Sequence, residues 1–64
     1  MNEEERLAAY EQFAADVRRE YADVEAQMDE LKAQGKVKTA TYRQLFATRI
    51  ILKDIDRRLR ARNL

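Results

Sequence analysis

A chain of 64 residues with no cysteine, no histidine and no proline has room for one small domain that buries a modest share of its surface. Disulfides and thiolate metal centres are excluded, and the commonest general base and transition-metal ligand is missing too. With 39% of residues charged and a net charge of only +1, stability beyond a thin core is expected from association rather than from covalent or metal staples.

The first segment, Met1-Asn2-Glu3-Glu4-Glu5, is acidic where a secretory or mitochondrial leader is basic, and a cytoplasmic protein is expected. Asn2 is a natural N-cap, Glu5 follows three residues later, and the glutamates favour the positive end of a helix dipole. Apolar or small residues then recur at Leu7, Tyr10, Ala14, Val17, Tyr21, Val24, Met28 and Leu31. Their gaps alternate three and four, the seam pattern of a helix that packs lengthwise on another. Phe13 widens the stripe on one flank. The spacing predicts a helix over residues 3–34.

Gly35 is the only glycine and stands where a helix ends in a left-handed residue. Residues 35–41 are expected to form the turn. Thr41, followed by Gln44, is the better-placed cap for a second helix, with Thr39 as the alternative. That helix is predicted over residues 42–62, with its seam at Leu45, Thr48, Leu52, Ile55 and Leu59. Arg57, Arg58, Arg60 and Arg62 crowd its C-terminal end, where cations are favoured. The longest apolar run, Ile50-Ile51-Leu52, is far below the roughly 20 residues of a membrane span.

A short connection makes the helices antiparallel neighbours, and charge supports the pairing. Residues 1–34 hold ten acidic and four basic side chains, a balance of −6, whereas residues 39–64 hold two acidic and seven basic, a balance of +5. Each exposed pair contributes only about 0.3–0.5 kcal/mol, so charge selects the partner rather than supplying stability. The expected fold is therefore all-α: an antiparallel two-helix hairpin over residues 1–64.

Two features do not close within one hairpin. A first helix of about 32 residues overhangs a second of about 21 by roughly 16 Å at ~1.5 Å per residue, leaving Leu7 and Tyr10 without a partner. A further apolar row at Tyr42, Phe46 and Ile50 lies off the Leu45–Leu52–Leu59 line and cannot face the same neighbour. Leu7, Tyr10, Tyr42, Phe46 and Ile50 are thus the candidate interface, and dimerisation of the hairpin into a four-helix bundle is the expected way to cover them. A helix of another protein is the alternative occupant.

A basic row, Arg49, Lys53, Arg57 and Arg60, runs beside Phe46 and is the candidate nucleic-acid face, with phosphate contacts and stacking as the chemistry. A solvated helix face is the plainer reading, because the net charge is small and the first helix brings acids close. The carboxylate pairs Glu25/Asp29 and Asp54/Asp56 are read as surface charge, since no histidine or glycine-rich loop accompanies them. No catalytic residue, metal site or cofactor is expected. The sequence points to a small non-enzymatic interaction module that self-associates, with an RNA-binding helical dimer as the alternative.

Overall fold

The computed structural model describes residues 2–64 and shows two helices, α1 (Glu3–Ala33) and α2 (Ala40–Arg60), packed against each other. They run antiparallel: Leu31 lines a groove with Thr41 and Leu45, Arg18 reaches Asp56, and Phe13 lies with Ile55 and Leu59. The molecule is a rod of 49 × 16 × 15 Å.

Local chemistry accounts for each helix end. Asn2 Oδ1 accepts from the Glu5 N–H at 2.8 Å, which satisfies one of the free donors of the first turn of α1. At the other end Gly35 takes φ 71°, the Gly35 N–H donates to Lys32 O at 3.0 Å, and the Lys36 N–H donates to Leu31 O at 2.8 Å. This is a Schellman motif, and it stops the helix at Ala33, with Gln34 as its cap.

Helix α2 begins two residues earlier than the sequence suggests, because Thr39 is the cap and Thr41 is not. The Thr39 hydroxyl accepts from the Tyr42 N–H at 3.2 Å and donates to Lys36 O at 2.8 Å, so one side chain closes both the helix and the connection. The helix also stops two residues short of Arg62. Asn63 adopts φ 61°, its N–H donates to Arg60 O, and the Leu64 N–H donates to Leu59 O, both at 3.0 Å. This second Schellman turn folds Leu64 back onto the core.

The core is thin. Ala14, Val17, Val24 and Met28 of α1 meet Leu52 and Leu59 of α2, with Tyr21, Tyr42, Leu45, Ile55 and Leu64 packed around them. The seam expected on α1 is buried only from Ala14 onward. With 31 residues in α1 and 21 in α2, the first helix projects by about 15 Å at ~1.5 Å per residue. The projecting turns carry Leu7 and Tyr10, which are more than half exposed. Among the described residues no helix is long and apolar enough to cross a membrane.

Candidate functional site

The two flanks of the hairpin differ in chemistry. On one, Arg18 Nε donates to Asp56 Oδ1 at 2.9 Å, Arg60 Nε donates to Asp56 Oδ2 at 2.8 Å, and an Arg18 NH2 group donates to Leu64 O at 2.6 Å. Arg18 is the one α1 residue that forms an ion pair with α2 among the described residues. Asp56 is half-buried beneath both guanidinium groups. Hydrogen bonding from Arg60, then from Arg18, holds its carboxyl below the ordinary value against the opposing effect of desolvation. Farther along the same flank, hydrogen bonding to the Glu25 carboxylate raises the Tyr21 phenol above its ordinary value, with desolvation acting in the same direction. Ionic and polar groups line this side, where Arg18, Tyr21, Lys53, Asp56 and Arg60 border a groove.

The opposite flank is apolar. Phe13, Ile55 and Leu59 line a groove at the C-terminal end of α2, with Arg58 and Arg62 at its rims. Phe13 is about half exposed and Ile51, one turn before Ile55, is 60% exposed. In the sequence Phe13 only widens the α1 stripe on one flank, and Ile51 belongs to neither apolar row. Its signal was the i, i+4 pair Ile51–Ile55, which sits about 160° from the outer row on the wheel of α2.

The expected interface residues separate. Leu7, Tyr10, Phe46 and Ile50 are exposed, whereas Tyr42 is half-buried and packs on the core of its own chain. Geometry explains the split. A row spaced every four residues rotates by about 40° per step on a helix of 100° per residue, so Tyr42 starts near the seam and Ile50 ends on the outer side. Leu7 and Tyr10 lie at the overhang with Glu3 and Arg6, remote from Phe46 and Ile50.

The basic row is largely engaged. Arg57 pairs with Asp54 at 2.7 Å and Arg60 with Asp56 at 2.8 Å, and the Arg49 guanidinium lies over the Phe46 ring at 5.0 Å. Asp54 also accepts from Arg58 at 3.0 Å, and its carboxyl is lowered by hydrogen bonding from Arg57 together with the charge of Arg58. Lys53 makes no ion pair among the described residues. It lies with Arg18, Tyr21 and Arg60 in one groove and with Ile50 and Arg57 in another. Asp54 and Asp56, read from the sequence as surface charge, pair with Arg57 and Arg60, two of the four cations of this row.

No cluster of three or more metal-ligating side chains occurs among the described residues. No protein-family model, curated protein or solved structure matches this chain.

Proposed function

We propose that this chain is a small non-enzymatic structural or interaction module that acts as a homodimer of helical hairpins, four helices in all. The observation that carries the reading is an imbalance of apolar surface. Among the described residues six hydrophobic side chains are buried, while seven large ones, Leu7, Tyr10, Phe13, Val37, Phe46, Ile50 and Ile51, are 40–60% exposed. Scattered surface hydrophobes are ordinary. Here Leu7 and Tyr10 continue a seam past its partner and Phe13 lines an open groove, which is surface suited to cover by a second copy. Fully burying one such side chain contributes about 1.5–3 kcal/mol, so a few of them decide association for so small a core.

The test is the oligomeric state and its link to stability. Association stabilises only the folded form, so melting temperature should rise with protein concentration, and sedimentation equilibrium should return the dimer mass. A well-folded monomer at high micromolar concentration would end the reading and leave a helix of another protein as the occupant.

RNA binding by the basic row has less support, because Asp54 and Asp56 neutralise Arg57 and Arg60. If the row does bind, Arg49→Glu with Lys53→Glu abolishes retention of RNA, and wild-type affinity falls steeply with salt. No retention by the wild type at low salt removes it.

A further inference from the structure

We propose that the two copies are joined by reciprocal exchange of the α1 overhang: residues 3–11 of each chain lie on the apolar groove at the C-terminal end of the other chain's α2. The inference rests on the self-association reading and goes beyond it by naming which patch meets which.

Shape and charge agree. The overhang presents Leu7 and Tyr10 with Glu3 and Arg6 beside them, one turn on stands Glu11, and residues 3–11 carry four glutamates against one arginine. The groove is lined by Phe13, Ile55 and Leu59 together with Arg58 and Arg62. Glu3, Glu4, Glu5 and Glu11 make no ion pair among the described residues, and neither does Arg62, which donates only to Arg58 O at 3.3 Å. Arg58 is already paired with Asp54 at 3.0 Å, so the unpaired cation of this groove is Arg62, and the net acidic helix end supplies the carboxylates that it lacks.

The outer row of α2 lacks this complementarity. In a two-fold contact a patch meets its own copy. A pairing through Phe46 and Ile50 would set Arg49 and Lys53 against the same cations, with Asp54 already engaged by Arg57 and Arg58, and one face of Phe46 already lies under Arg49.

Exchange also closes the assembly at two. With Leu7 of one copy beside Phe13 of the other, the two-fold axis passes next to Tyr10, which lies three residues from both. Both overhangs and both grooves are then used at once, which doubles a contact that is small on its own toward the about 1,000 Å² a specific interface needs.

The absence of cysteine from the chain makes engineered cysteines clean reporters. Under mild oxidation Tyr10→Cys should form a covalent dimer, while Ile50→Cys on the outer row should not. Glu3→Lys with Glu11→Lys, and separately Arg58→Glu with Arg62→Glu, should each weaken association about tenfold or more. Mixing the two charge-reversed chains should restore it as a heterodimer, a rescue that mere misfolding would not produce. Crosslinking through Ile50→Cys but not Tyr10→Cys would overturn the exchange while leaving self-association standing. Charge-reversed variants that dimerise as well as wild type, with Phe46→Asp dissociating instead, would do the same. A wild type that stays monomeric overturns both.

Discussion

Asp56→Asn tests whether the hairpin is locked across its helices or only along them. The carboxylate uses both oxygens, one for Arg18 of α1 and one for Arg60 of its own helix, at 2.9 and 2.8 Å. An amide keeps one acceptor and turns a donor group toward the other guanidinium. Hydrogen bonds to charged groups contribute about 1.5–3 kcal/mol when well shielded, and exposed ion pairs about 0.2–1 kcal/mol. With the Arg18 side chain 38% exposed and Asp56 24%, the cost falls between these ranges, about 1–2 kcal/mol. In a domain of this size each kcal/mol moves the melting temperature by about 4–8 °C, so a fall of about 5–15 °C is expected at pH 7. Asp54→Asn, which breaks pairs only to Arg57 and Arg58 within one helix, should cost clearly less than Asp56→Asn, because those pairs are solvent-screened.

The pH dependence supplies a second check. Both carboxyls lie below their ordinary value of 3.8 in the folded chain. Their contribution is therefore complete above that value and is lost as pH falls through the lower folded one. The stability gap between wild type and Asp56→Asn should be full at neutral pH and narrow progressively in acid below about pH 4. Thermal melts followed by circular dichroism at one fixed protein concentration measure both effects, since association would otherwise shift the midpoints. Equal losses for Asp54→Asn and Asp56→Asn, or a gap that survives strong acid, would refute the cross-helix lock.

Leu52→Ala removes one of the two buried α2 side chains and should cost about 2–5 kcal/mol, read from urea unfolding. Against a total of about 3–10 kcal/mol for a chain of this length, that loss should leave a measurable unfolded population at room temperature. Gly35→Ala puts a side chain at φ 71° in open space, so the loss should be purely conformational, about 1–2 kcal/mol, with helix content unchanged at low temperature. A neutral Gly35→Ala would mean that the left-handed turn does not end α1 in solution.

Both helices, their antiparallel pairing and the break at Gly35 were legible in the sequence because their causes are local. Seam spacing, a capping asparagine and a lone glycine each act within a few residues. The overhang followed from the same information, since it needs only two helix lengths and a rise per residue. The candidate site was legible in part: Leu7, Tyr10, Phe46 and Ile50 are exposed, whereas Tyr42 turned inward because a four-residue spacing drifts around the helix. Thr39 rather than Thr41 caps α2, since the choice depended on whether the hydroxyl also met the carbonyl of Lys36.

What only the tertiary structure decided is which flank is closed. Arg18 and Asp56 stand 38 positions apart, and nothing in either helix's periodicity says that they meet. Their meeting depends on the rotation and the axial register of one helix against the other, and both are settled by how Val17, Met28, Leu52 and Leu59 interlock. The same interlock turns Phe13, Ile51 and Ile55 to the open flank. A hydrophobic pattern encodes the direction in which a helix faces its partner, and it leaves unspecified which charges come together beside that contact.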